Sequence, residues 1–415
     1  MIVYKFGGAS VKDEWGVKNL AEIVSRVDDR LVVVVSALGK TTNMFESVLE
    51  KLIVGDDSYL KLFDDIISYH TDLANSLFSR GEAANLLNPM FAVTKELMLT
   101  LPGKDYDFSY DQLVSHGELY STRIVSRWLS KSGMDSEWVD IRNHLITDSN
   151  FREANVDWDE SALRISDVFS KSGNKVSVTQ GFIGSNNGDT TTLGREGSDF
   201  TGAIIANICD AESFTIWKDV PGVLNADPKW IIDAHRLDNI SYKEALEMSF
   251  SGAKVIHPKT IKPLHNKSIP LFVKSFLDPK DRGTIVSLDE SIEQDIPVFV
   301  RKQEQVLISF IPKDFSFALC DNLGKLFDTF KRCGIKTNLV QASAVSIAVC
   351  VDYEKGRIAE LRSLLSKDYK ILMNEDVEML TLRYYNSTAI KKLTAKREVL
   401  IEQRTRKSIR YIVKE

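Results

Sequence analysis

Three glycine-marked stretches carry residue types that suit anion or phosphate chemistry. In the first, the apolar run Ile2–Phe6 ends in Gly7-Gly8-Ala9-Ser10, and a helical pattern follows from about residue 15 to 27. Small residues between a strand and a helix let backbone N–H groups approach a ligand, and the helix dipole favours negative charge there. Lys5 sits on that strand, where an ammonium needs an anionic partner unless it reaches solvent at the strand end. In the second stretch, residues 178–206, a β-branched run over 175–179 enters a loop rich in glycine and threonine, with Gly188, Gly194 and Gly197. Ser198 and Asp199, both good N-cap types, mark the start of the helix that follows. Arg195 adds a planar cation four residues before Asp199, and a cation beside an anion suits a zwitterion such as an amino acid. A capping turn with a surface arginine has the same letters. In the third, Lys254 stands at a glycine-marked break in residues 251–258, aimed either at phosphates or at solvent.

The elements around these stretches have the pattern of a layered α/β protein. Residues 31–36 are apolar at nearly every position, as in a parallel strand covered by helices on both faces. The loop that follows, through Asn43, lies beyond the carboxyl end of that strand, where ligands of open parallel sheets bind. From 58 to 131 the period is mainly helical, with breaks near Gly81 and Pro102-Gly103 and a glycine beside a carboxylate at Gly117-Glu118. Glu118 is by itself an ordinary solvated helix carboxylate. A strand over 213–217 leads into the turns at 218–228, which could frame a nucleotide base. Ser241 caps a helix through Phe250, and 271–275 is a further strand. Past about residue 290 the order becomes β-α-β-β-α-β, the ferredoxin-like unit. Residues 398–403 and 408–413 then fit a hairpin bordered by eight basic residues, a solvated surface or a subunit contact.

Composition narrows the function classes. At 415 residues, two or three domains are expected. A formal net charge of −5 disfavours a nucleic-acid partner, and no apolar run reaches membrane-spanning length. The first residues form a strand and not a signal peptide. Cys209, Cys320, Cys333 and Cys350 are far apart without CxxC spacing, and the six histidines show no ligand spacing. A cytoplasmic protein with reduced thiols and no metal ligands is expected.

Ordered motifs then identify a resemblance to the aspartate kinases of the amino-acid kinase family. They are KFGGAS at 5–10, VVVSA and TTN at 33–37 and 41–43, SHGE at 115–118, TQGFIG and TTTLGREGSD at 179–184 and 190–199, KDVPGVLNADP at 218–228, and SGAKVIHP at 251–258. The resemblance implies a doubly wound, mainly parallel sheet with helices on both faces in a catalytic domain at 1–290. It further implies an ACT-like domain at 300–386 and a shortened second ACT remnant or hairpin at 387–415. The implied reaction is transfer of the ATP γ-phosphoryl group to the side-chain carboxylate of L-aspartate, giving 4-phospho-L-aspartate, which opens lysine, threonine and methionine synthesis. Mg²⁺ would arrive with ATP.

Because an ionised carboxylate is already nucleophilic, catalysis rests on positioning and neutralisation of phosphate charge. Lys5, Lys254 and Asp199 are the implied catalytic residues. Gly7, Gly8, Ser10, Lys218, Asp219, Leu224, Lys229 and Val255 join Lys5 and Lys254 on the nucleotide. Arg195 falls on the substrate carboxylate, Glu118 and Asp199 near its ammonium, and Ser36, Thr42, Phe182 and Ser198 complete that pocket. Glu196, Lys218 and Leu224 depart from the family pattern, Glu196 replacing its usual second glycine. With at most a strand pair expected in 387–415, feedback inhibition by lysine or threonine is expected to be weak, absent or moved to an intersubunit site. A fused homoserine dehydrogenase is not expected within these 415 residues, and pairing of ACT-like units makes a homo-oligomer the expectation. Two rival readings are a kinase for glutamate or acetylglutamate and a non-catalytic amino-acid or nucleotide sensor of the same fold. Retention of Lys5, Arg195, Asp199 and Lys254 disfavours the sensor.

Overall fold

A computed structural model describes the chain from Met1 to Lys414 apart from residues 172, 174, 254–255, 293 and 315–321. It divides into two compact units: Met1–Val223 with Arg236–Ala245 and Ile256–Ile292, and Leu224–His235 with Leu246–Val255 and Glu293–Glu415.

The first unit opens with β1 (Ile2–Phe6), α1 (Glu14–Ser25) and β2 (Leu31–Val35). Five helices or helical segments follow: α2 (Thr41–Ile53), α3 (Ser58–Leu77), α4 (Arg80–Thr100), α5 (Tyr106–Val114) and α6 (His116–Lys131). Next come β3 (Ser136–Val139), α7 (Trp158–Lys171), β4 (Val176–Gln180), β5 (Ile183–Asn186), β6 (Asp189–Thr192), α8 (Gly197–Ile208) and β7 (Ser213–Lys218). The unit closes with β8 (Asn239–Ser241), the start of α9 (Tyr242–Phe250), α10 (Pro258–Asn266), β9 (Leu271–Ser275) and β10 (Thr284–Ser287). Eight strands form one sheet in the order β3-β4-β2-β1-β7-β9-β10-β8, parallel except where β10 meets β9. Every residue of β2 is buried, in keeping with its unbroken apolar run. One large core packs Val33, Val35, Phe45, Phe63, Ile66, Tyr120 and Ile124 together between sheet and helices.

Several sequence expectations shift. Gly81 lies within α4, and the break is instead at Phe78-Ser79, where the Ser79 hydroxyl caps α4 through the Glu82 N–H at 3.3 Å. The glycine- and threonine-rich loop contains a hairpin, β5 with β6, which polar threonines had concealed. Helix α8 begins at Gly197 with Glu196 as its N-cap in the left-handed region (φ 55°), so Ser198 and Asp199 lie inside the first turn.

In the second unit, β11 (Val298–Pro312), α11 (Asn322–Arg332), β12 (Thr337–Ala342), β13 (Ile347–Asp352), α12 (Lys355–Leu365) and β14 (Tyr369–Arg383) give the expected β-α-β-β-α-β order. The segment beyond is α13 (Ser387–Thr394), β15 (Glu398–Arg404) and β16 (Ser408–Lys414). All six strands make one antiparallel sheet, β12-β13-β11-β14-β16-β15. The expectation of at most a strand pair after 386 is therefore corrected. Asn386 caps a helix through the Ala389 N–H (2.8 Å), and Ala389 and Leu393 pack on Leu380, Leu382, Ile409 and Tyr411. The helix escaped detection because its apolar side is only two turns long, amid lysines.

Candidate active site

The parallel strands β1, β2, β4 and β7 end in register, Phe6 beside Val35 and Trp217, and Val35 beside Gln180. Their loops therefore emerge together at one edge. Close packing explains the glycines there. A Cβ on Gly8 would lie 2.5 Å from the Ala37 carbonyl oxygen and 2.9 Å from that of Gly39. One on Gly117 would lie 2.9 Å from Ala37 Cβ, so α6 rests directly on the loop after β2. Gly7 leaves open space beside Lys5, with its virtual Cβ 3.7 Å from Nζ. Ser10 is buried in the short turn of 3₁₀ helix after Gly7, its N–H on the Gly7 carbonyl at 3.0 Å.

Two ammonium groups converge on one carboxylate at this edge. Lys5 Nζ, from β1, lies 2.7 Å from Asp199 Oδ1, and Lys218 Nζ, from the last residue of β7, lies 3.6 Å from Oδ2. Asp199 is fully buried in the first turn of α8, where the helix dipole also favours a negative charge. Burial pushes its carboxyl up, but Lys5 and then Lys218 outweigh that and hold it below the usual range. The trio resolves the cost of a lysine within β1: its partner is Asp199.

Glu118 has a contrasting setting. It is 2 % exposed on α6, and its Oε1 accepts the Ala37 N–H at 3.2 Å while Oε2 is buried without a hydrogen-bond partner. Burial pushes its carboxyl up to about 8, against the opposing pulls of the Ala37 N–H and Lys5. An orphaned acceptor on a buried acid calls for a donor from outside the chain, such as a ligand ammonium.

The other site residues divide by position. Ser36 follows β2 with its N–H on the Phe6 carbonyl (3.1 Å), and Thr42 is half-buried in the first turn of α2. Phe182 holds the left-handed region (φ 73°), a strained place for an aromatic residue, fixed by its N–H on Thr201 Oγ1 at 3.0 Å. Ser198 is buried against Gly181, and Arg195 and Glu196 are exposed on the loop before α8. Asp219 is exposed after Lys218. Leu224 and Lys229 belong to the second unit, Lys229 exposed with its N–H on Asp227 Oδ1 at 2.9 Å. Lys254 and Val255 lie outside the described residues.

Sequence reasoning missed the buried polar residues that brace these loops. Gln180, fully buried at the end of β4, accepts the Ile141 N–H at 2.8 Å and donates to Thr122 Oγ1 on α6 at 2.9 Å. Asp111 on α5 accepts from Thr192 N–H (2.8 Å), Thr192 Oγ1 (2.7 Å) and Arg152 N–H (3.0 Å), tying the hairpin and the turn beside Gly194 together. The signal available was a polar residue closing the apolar strand β4 and an aspartate at a core-facing position of α5.

Comparison with known proteins identifies the chain's relatives. The model of the amino acid kinase family matches residues 1–275. The lysine-sensitive aspartokinase 3 of Escherichia coli is 33% identical over 359 residues, which cover 85% of this chain and 78% of that protein. A chloroplastic bifunctional aspartokinase/homoserine dehydrogenase of Zea mays is 35% identical over 292 residues, covering 68% of this chain; that match spans only 32% of the plant protein. The crystal structure of E. coli aspartokinase III in complex with aspartate and ADP superposes with a TM-score of 0.86 at 27% identity, covering 100% of this chain and 96% of that one. A strand-end cradle of glycines, two lysines on a buried aspartate and these likenesses together place the chain in the amino acid kinase family, among the aspartokinases.

Proposed function

We propose that this chain is an aspartate kinase, moving the γ-phosphoryl group of ATP to the side-chain carboxylate of L-aspartate. The observation that carries the reading is the pair Lys5 and Lys218 held on buried Asp199 beside the open backbone at Gly7. Two fixed ammonium groups beside a backbone turn open enough for close approach fit a polyphosphate, whose transfer needs charge neutralisation at set positions and little covalent chemistry. Mg²⁺, when bound with the nucleotide, neutralises further phosphate charge, held by phosphates and water.

The division of labour follows from the two buried acids. Asp199 is already matched by two cations, so it acts by holding Lys5 and Lys218 in place. Glu118 has an unmatched oxygen, so we assign it the substrate ammonium. Arg195, exposed on the loop before α8, supplies the two-pronged grip for the α-carboxylate. The acceptor carboxylate of aspartate is ionised at neutral pH and attacks without a base. Lys254 and Val255 on the nucleotide, with Leu224 and Lys229, remain assignments by family resemblance.

Free Cys209, Cys333 and Cys350 support a reducing, cytoplasmic setting. The open edges β12 and β15 of the second sheet support association with a second copy. The test is trapping of the acyl phosphate as a hydroxamate. ATP-dependent hydroxamate is expected with L-aspartate and not with L-glutamate or acetylglutamate. Binding of ATP with no hydroxamate from any acid would favour the sensor reading instead.

A further inference from the structure

The outer edge of the β5–β6 hairpin is held by side chains of α5 where a third strand could have paired. Within the hairpin Thr192 stands opposite Ile183 and Thr190 opposite Ser185. Backbone N–H groups alternate in direction along a strand, and those of Thr190 and Thr192 leave β6 on the side away from β5. Two consecutive residues of α5 meet them. Gln112 donates its amide to the Thr190 carbonyl at 2.7 Å and accepts the Thr190 N–H at 3.1 Å. Asp111, fully buried, accepts the Thr192 N–H at 2.8 Å and the Thr192 hydroxyl at 2.7 Å.

The same helix grips the turn that packs on this strand. Asp111 also accepts the Arg152 N–H at 3.0 Å, and Asp107 accepts from the Arg152 guanidinium at 3.3 Å, which lies 4.5 Å from the Tyr110 ring centroid. Both grips reach the loop before α8. Thr192 leads through Leu193 and Gly194 directly to Arg195. Gly194 holds the left-handed region (φ 76°), and a Cβ there would lie 3.1 Å from the Arg152 carbonyl oxygen. On the other side the Leu193 N–H bonds the Phe182 carbonyl at 2.9 Å, and the Gly197 N–H bonds the Gly194 carbonyl at 3.0 Å. Arg195 is exposed, yet the backbone on either side of it is fixed, and α5 supplies much of the fixing.

We propose that Asp111 and Gln112 are positioning residues for amino-acid binding: by fixing β6 and the Arg152 turn, they set where Arg195 presents its guanidinium. This role rests on the aspartate kinase reading, in which Arg195 grips the substrate α-carboxylate. Neither residue is assigned a contact with substrate. The lysines assigned to the nucleotide, Lys5 and Lys218, stand on β1 and β7, so the two ligands should respond differently. Asp111 acts here by accepting hydrogen bonds. An asparagine can do the same, its amide oxygen taking both N–H groups and its NH₂ donating to the Thr192 hydroxyl.

Binding of L-aspartate and of ADP, each measured by titration calorimetry on the full chain, tests the proposal. Asp111→Ala is expected to weaken L-aspartate about tenfold or more and ADP by less than about twofold. Asp111→Asn should restore L-aspartate affinity to near the wild-type value. In an Arg195→Ala background, Asp111→Ala should add less than about twofold, because the group it positions is gone. Equal L-aspartate affinity in wild type and Asp111→Ala, parallel losses for both ligands, no recovery in Asp111→Asn, or an undiminished loss in the Arg195→Ala background would each overturn the proposal. Gln112→Ala, which removes both bonds to Thr190, carries the same comparisons if Asp111→Ala does not fold. Failure of wild type to bind L-aspartate would contradict the kinase reading and this role with it, whereas binding without coupling to Arg195 contradicts this role alone.

Discussion

Lys5, Lys218 and Asp199 form one electrostatic unit, and breaking it has separable effects on stability and activity. Lys5→Met leaves Asp199 buried with only the more distant Lys218, and is expected to cost about 3–5 kcal/mol by denaturant unfolding. Lys5→Met/Asp199→Asn removes the uncompensated charge, so it should regain most of that stability and none of the hydroxamate activity. Glu118 gives a pH signature. Its folded value of about 8 lies above the ordinary 4.5, so the folded chain holds this proton more tightly than the unfolded one. Its contribution to stability therefore falls as pH rises from 4.5 towards 8 and is level above, and Glu118→Gln should remove that contribution from the pH dependence of the melts. A ligand ammonium needs the ionised form, so aspartate affinity should rise up to about tenfold per pH unit below 8 and level off above it. A pH-independent aspartate Kd would remove Glu118 from that role. Glu196, the departure most visible in the sequence, occupies the left-handed backbone that a glycine adopts freely. Glu196→Gly should be neutral to stabilising by about 1 kcal/mol, and Glu196→Val destabilising, in thermal unfolding.

At the scale of elements, legibility followed the strength of local patterning. The runs Ile2–Phe6, Leu31–Val35 and Leu271–Ser275 are apolar enough to read as strands, and the structure places strands over each. By contrast β3, β8 and β10 are three- or four-residue strands whose pairing comes from the tertiary fold, and nothing local marked them. The candidate site was legible as glycine-bearing turns and charged letters, but the pairing of Lys5 with Asp199 joins positions nearly 200 apart. Only the parallel register of β1 with β7 and the packing of α8 on them create it. The turn after β1 is the tightest part of that arrangement. Gly8→Ala would force a methyl to within 2.5 Å of the Ala37 carbonyl, and should cost about 1–3 kcal/mol and raise the KM for ATP more than that for aspartate.

At the scale of the molecule, the chain joins an eight-stranded α/β unit of the amino acid kinase family to a second unit built on one six-stranded antiparallel sheet. The second sheet continues beyond the ferredoxin-like order through α13, β15 and β16, so the segment after residue 386 is an ordered part of that unit. The weak-feedback expectation had leaned on that segment holding a strand pair alone; we retain it only as a proposal, to be checked by assaying with lysine and threonine. The decisive measurement is hydroxamate formation from ATP with L-aspartate, run on wild type, Arg195→Ala and Lys5→Met/Asp199→Asn at matched folded concentrations. Product is expected from wild type, with a strong loss in Arg195→Ala and none from the double variant. Equal product from the folded double variant would contradict a phosphate-neutralising role for the lysine–aspartate unit, and no product from wild type would contradict the kinase assignment itself.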